Sequence, residues 1–221
     1  MRNLVLLAAI AALSACGPTS PTGATTAAPG PAASSGASPQ SHGALELSCA
    51  GFADATLASL TQRFGAANVV NQKITGAEGE ESDGTVLFPN DPARRVEIAW
   101  RDPDQHQGVA SATVSGVEGV RSLWTGPHGV KLGQAMADVQ AANGRAFQAS
   151  GFDWDYGGMV TDWKGGAFAP VDNCSVQVGF QPGAETQQAE GEASFASNSP
   201  AMISRTPYVS LFAVSFVQQS D

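Results

Sequence analysis

The chain has 221 residues, with 20 Asp and Glu against 11 Lys and Arg and a formal net charge of −9. Such an acidic balance lacks the basic footprint that nucleic acid or an anionic lipid surface requires. The length suits one medium domain or two small ones, and no apolar segment beyond the N-terminus is long enough to span a membrane.

The N-terminus carries one cation, Arg2, followed by an apolar run from Leu4 to Leu13. That run is too short to cross ~30 Å of hydrocarbon as a helix and has the layout of a secretory signal. It closes on Leu13-Ser14-Ala15-Cys16, which resembles the lipobox of bacterial lipoprotein signal peptides. The resemblance implies a signal peptide over 1–15, cleavage before Cys16, diacylglycerol on its sulfur and a fatty acyl group, typically palmitate, on the new N-terminus. Each buried CH₂ of such chains contributes ~0.8 kcal/mol, so the lipid would be the membrane anchor. Gly17 after the cysteine, in place of Asp, implies the outer membrane and a periplasm-facing chain by analogy with enteric bacteria.

Residues 17–44 contain five prolines, no charged residue and no large apolar side chain. Nothing here can bury a core, so with Cys16 the stretch 16–44 reads as a disordered tether. As a flexible coil its ends lie roughly 30 Å apart. His42 falls within it and reads as solvated.

With Cys16 lipidated, Cys49 and Cys174 remain. An oxidising envelope compartment favours a disulfide between them over two separate thiols. A metal site fits less well, because two cysteines without a nearby histidine do not make a tetrahedral set.

The stretch "TLASLTQRFG" (Thr56 to Gly65) places apolar residues at helical spacing and ends on a capping glycine. Strands are expected at Asn68–Thr75 and Thr85–Pro89. A turn, "FPNDPARR", follows. "RVEIAW" (Arg95 to Trp100) then alternates strictly, with Val96, Ile98 and Trp100 on one face, and a further strand is expected around Val109 to Ser115. Gly129–Gly133 is expected to be a short strand leading into "LGQAMADVQAANG" (Leu132 to Gly144). That helix echoes the first at an offset of 79 positions, Leu57 facing Met136 and Gly65 facing Gly144. Strands are expected at Phe152–Tyr156 and Met159–Lys164 around a Gly157-Gly158 hairpin. "SVQVGF" (Ser175 to Phe180) echoes Arg95–Trp100 at offset 80, and Val209 with Val214-Ser215 echoes Val109 with Val114-Ser115 at offset 100. The additional residues fall in a polar loop, 182–201, of the kind that tolerates insertion.

The fold expected is therefore α+β: tandem repeats over 45–120 and 121–221, each one helix and a four-stranded antiparallel sheet. "KLGQAMADVQAANGRAF" also resembles the helix-opening motif of the β-lactamase inhibitory protein-like superfamily, which includes small outer-membrane assembly lipoproteins. Gly133, Asp138-Val139 and Gly144 fit that motif. Gln134-Ala135 stand where the family has a Ser or Thr cap. The resemblance implies paired helix-plus-sheet units.

No nucleophile elbow, zinc-protease helix, phosphate loop or dinucleotide fingerprint occurs. His106 and His128 lie in turn-like contexts and read as solvated. Glu78, Glu80, Glu81 and Asp83 cluster without the alternating spacing of a Ca²⁺ loop, and read as a solvated hairpin tip. No cofactor or metal is expected. Phe152, Trp154 and Tyr156 are expected to share one strand face under the helix, with Asp153 and Asp155 on the other. If Val96, Ile98, Trp100, Val176, Val178 and Phe180 face the helices, then Arg95, Glu97, Arg101 and Gln177 line the opposite face, joined by Asp153 and Asp155. That polar face is the candidate surface for a protein partner in the envelope. The function expected is a non-enzymatic binding or assembly module. The alternatives are an inhibitor of a periplasmic or secreted enzyme, and an envelope enzyme without a recognisable motif.

Overall fold

The computed structural model describes residues 45–76 and 79–217. The expected signal peptide, Cys16, the tether with His42, and Glu78 lie outside the described residues. Those described belong to one unit, Ser41–Asp221, of mixed α/β structure dominated by sheet.

Strand β1 (Leu45–Glu46) leads to a single-turn helix, α1 (Cys49–Phe52), and then to α2 (Leu57–Phe64). α2 begins where it should: Thr56 Oγ1 accepts from Ser59 N–H at 3.1 Å, and Ser59 Oγ accepts from Thr56 N–H at 2.9 Å, a reciprocal cap. A 3₁₀ turn precedes β2 (Val69–Thr75), β3 (Glu81–Leu87), β4 (Val96–Asp102) and β5 (Gln107–Ser115). β6 (Trp124–Thr125) pairs with β1 in parallel. Then come α3 (Met136–Asn143), β7 (Gln148–Ser150), β8 (Val160–Asp162) and β9 (Cys174–Gln181). β10 (Ser194–Ala196), α4 (Pro200–Ser204) and β11 (Tyr208–Phe216) complete the order.

The main sheet is antiparallel with six strands ordered β2-β3-β4-β5-β11-β9, and a smaller one runs β10-β7-β8. Two separate four-stranded sheets do not form. β5 pairs with β11 from Ser111↔Ser215 to Ser115↔Leu211, so both halves share one sheet and one core. Strand alternation then fixes the core face. One cross-strand row runs Thr85, Ile98, Ala112, Val214, Val176. The apolar members of that row join Leu60 of α2 and Val139 of α3 in a single buried cluster.

α2 and α3 occupy the eight-residue spans that the echo marks, yet they are held differently. Phe64 packs edge-on against Phe88 and Trp124. Asn143, at the matching position, is a buried polar plug: its amide donates to the carbonyls of Arg145 and Trp163, and its oxygen accepts from Phe168 N–H. α3 has no side-chain cap, as Gln134-Ala135 suggests. The Pro207 carbonyl, from before β11, accepts from Met136 N–H at 3.0 Å instead. Gly144 closes α3 at φ 77°, a conformation only glycine adopts cheaply.

Several expected elements differ. Phe152–Tyr156 is not a strand. β7 ends at Ser150, because Gly151 lies so close to Ala189–Gly191 that a Cβ would meet the Gly191 carbonyl at 2.6 Å. Asp153 then turns the chain at φ 68°. Gly129–Gly133 is not a strand either; a 3₁₀ turn at Pro127–Gly129 precedes a segment that meets the start of β11 through Gly133 N–H to Val209 O. The inserted loop carries β10 and the start of α4.

Cys49 and Cys174 form a disulfide across 125 positions, joining α1 to the start of β9. Closing a loop of that size constrains the unfolded chain by roughly 4–5 kcal/mol. Reduction is expected to lower the urea midpoint accordingly, and an unchanged midpoint under reductant would refute a stabilising role.

Candidate functional site

The side of the main sheet away from α2 and α3 carries small residues. One row runs Gly84, Ala99, Ser111, Ser215, Ser175, and the next runs Val86, Glu97, Thr113, Ala213, Gln177. Val86 and Ala213 are buried by their neighbours but stand outside the core cluster. Small side chains across five strands leave this face flat and bring its backbone near the surface.

The sequence-derived face residues distribute unevenly over it. Glu97 and Gln177 fall in one cross-strand row, three strands apart along the sheet. Arg95 sits at the entrance to β4 and pairs with Glu97 at 2.7 Å. Residues two apart on a strand share a face, so this cation and anion neutralise each other instead of presenting separate patches. Arg101 lies beyond a bulge at Ala99/Trp100 and sends Nη2 toward the Phe216 carbonyl at 3.4 Å. Asp153 and Asp155 are not on the sheet at all, since their segment is a turn.

That turn has its own construction. Phe152 is in the core, Trp154 is half-buried with its indole N–H donating to the Gly151 carbonyl, and Tyr156 is exposed against Trp154. Arg205 holds the assembly together from a buried position. Its guanidinium donates to Asp153 at 2.8 Å and to the Thr186 carbonyl, and lies over the Phe152 ring at 5.3 Å. Arg205 thus ties the 182–201 insertion to the aromatic turn. Sequence patterning offers no sign of this, because a lone arginine after a short helix reads as surface.

A second feature escaped the sequence reading: an open cleft of about 1010 Å³ between the α1–α2 segment and the β4–β5 hairpin, lined by Asp54, Thr56, Leu57, Thr61, Arg101 and His106 among others. The His106 ring meets Trp100 edge-on at 6.1 Å and, among the described residues, makes no side-chain hydrogen bond to an acid or hydroxyl. Thr56 and Thr61 spend their hydroxyls on α2, as its cap and on the Leu57 carbonyl. His128 lies against Phe168 at 4.9 Å. The carboxylates with lowered pKa are Asp91, through its hydrogen bond from Arg94, and Asp162, through its hydrogen bond from Lys164. The first is a half-buried pair in a turn and the second an exposed pair at a strand end. Among the described residues no group of three or more His, Cys, Asp or Glu is placed to hold a metal ion.

No protein-family model, no curated protein and no solved structure matches this chain.

Replacing Arg205 by Met should cost about 1–3 kcal/mol from the lost charged hydrogen bonds. Limited proteolysis within 182–193 should accelerate before global unfolding. Equal cleavage rates in both proteins would show that Arg205 does not secure the insertion.

Proposed function

We propose that this chain is a lipid-anchored protein of the bacterial cell envelope that binds a protein partner without catalysing a reaction. The observation that carries the binding reading is the flat, small-residue face of the main sheet, with Glu97 and Arg95 at one side and Gln177 at the other. Such a face lets a partner approach the backbone closely, and the few charges at its margin set orientation more than affinity. The threonine hydroxyls of the cleft are engaged within α2 and its histidine is hydrogen-bonded to no acid or hydroxyl among the described residues, which supports a non-catalytic role.

The lipobox motif at Leu13–Cys16, followed by a charge-free proline-rich stretch, supports anchoring through Cys16 with the folded unit held away from the bilayer. An outer-membrane, periplasm-facing location follows from Gly17. The matching α2 and α3 spans, each followed by antiparallel strands, support a duplicated helix-and-four-strand unit of the β-lactamase inhibitory protein-like kind. In this arrangement β2, β3, β4 and β5 correspond to β7, β8, β9 and β11. Inhibition of a periplasmic or secreted enzyme is one form such binding could take, separated from assembly by direct inhibition assays.

Two experiments test the reading. Cys16→Ala should abolish incorporation of labelled palmitate and membrane fractionation; retained labelling would refute the anchor. Thr113→Arg on the open face should reduce crosslinked partner recovery about tenfold or more while the protein stays folded, as expected for a bulky charge at the centre of an interface. Undiminished recovery, together with loss on substituting Tyr156, would move the working surface to the aromatic turn.

A further inference from the structure

β2 is an end strand of the main sheet, and its pairing with β3 decides which backbone groups look outward. Phe88 N–H donates to the Asn68 carbonyl at 2.7 Å, and Gly76 N–H to the Glu80 carbonyl at 2.6 Å. Between them the register runs unbroken from Val69↔Leu87 to Thr75↔Glu81. Even-numbered residues therefore exchange hydrogen bonds with β3, and odd-numbered ones turn theirs to the edge. The Val69 N–H is taken by the Ala66 carbonyl. Those of Asn71, Lys73 and Thr75 find no acceptor among the described residues.

The same chain shows such an edge completed. β7 follows α3 as β2 follows α2, and β10 lies antiparallel along the outer side of β7. Ser197 N–H donates to the Phe147 carbonyl and Gly151 N–H to the Ala193 carbonyl, both at 2.8 Å. β10 comes from the insertion, which has no counterpart in the first half. β2 is the longer strand, seven residues against three, and is left without that cover among the described residues. Exposed edges are usually blunted by proline, a bulge, brevity, an inward charge or charged side chains along the edge, lysine above all. β2 has no proline and no bulge against β3. Its one charge, Lys73, is paired with Asp83 at 2.8 Å and stays 55% exposed, so it remains solvated when another strand arrives.

We propose that the edge of β2 joins two copies of this chain, antiparallel, about a two-fold axis through Gln72. The occupant is argued from the strand itself. In that register Asn71 of one copy opposes Lys73 of the other and Val69 opposes Thr75, through outward-facing backbone groups except the Val69 N–H, which Ala66 holds. On the open face Val70, 37% exposed, extends over the edge of Ile74, which is 9% exposed and packs on Gly84. Apolar thus meets apolar, and no like charges oppose. An axis through Lys73 would set two lysines against each other, and one through Asn71 would set the exposed Val70 against Gln72. The contact is isologous and closes at two copies. It uses the sheet edge and not the open face, so its failure leaves the proposed function standing.

The test is sedimentation velocity of the full chain over a wide concentration range, with residue-resolved amide exchange. Dimerisation should slow exchange at Asn71, Lys73 and Thr75 about tenfold or more, while Val70, Gln72 and Ile74, already bonded to β3, change little. Asn71→Pro removes an outward N–H and spares the β2–β3 ladder, but it also removes the acceptor of the Thr85 hydroxyl; it should give a monomer that melts no lower than Asn71→Ala, which loses the same side-chain bond, keeps the N–H and should still dimerise. Should the proline variant fail to fold, Val70→Lys places a charge opposite Ile74 on an exposed position and should weaken the dimer. A monomer at every concentration overturns the proposal, as does a dimer unaffected by the proline and lysine substitutions. Protection of the three amides that appears only when another protein is added also overturns it, since the edge would then serve a different occupant.

Discussion

The antiparallel seam between β5 and β11 is the contact on which the rest depends. It aligns Ala112 with Val214 and Val114 with Phe212, so the core faces of both halves become one surface. Phe212 is fully buried at this seam, and Gly126 of the connecting segment lies so near that a Cβ would touch its ring at 2.7 Å. Once the seam is set, α2 and α3 cover the same side of one sheet. The other side is left with the small residues of alternate positions.

Around that seam the chain fastens its long-range elements by several unlike devices. The disulfide joins α1 to β9. Trp124, buried between Phe52 and Phe64, donates its indole N–H to the Arg94 carbonyl and so ties the link between the halves to the β3–β4 turn. Arg205 does similar work for the insertion, with one ion pair and one carbonyl. Each device spends a polar or covalent link where the apolar core alone would leave a loop end free.

The two halves also divide the problem of sheet edges differently. In the second, the insertion supplies β10 as a cover for β7, and the sequence needed to make it is polar and alanine-rich. In the first, the hairpin after β4 is short, and β2 keeps an open row of donors and acceptors. A surface for pairing and a surface for face-on binding therefore lie on different parts of the same sheet.

Local pattern alone determined a good deal of this protein. The spacing of Leu57 and Leu60 before Gly65, and of Met136 and Val139 before Gly144, marks α2 and α3. The alternation of Val96, Ile98 and Trp100, and of Val176, Val178 and Phe180, marks the core face, because side-chain direction in a strand is fixed by parity. The pairing of Cys49 with Cys174 follows from there being no other partner once Cys16 is set aside. Pattern failed at Phe152–Tyr156, where alternation mimics a strand but the close approach of Gly151 to residues 189–191 forces a turn. It could not foresee that Arg205 is buried, or that β5 and β11 fuse two expected sheets into one. Those outcomes rest on contacts between residues distant in sequence, 96 or more positions apart at the seam. Only tertiary structure decides them, because pairing partners, unlike periodicity, are not written in any single segment.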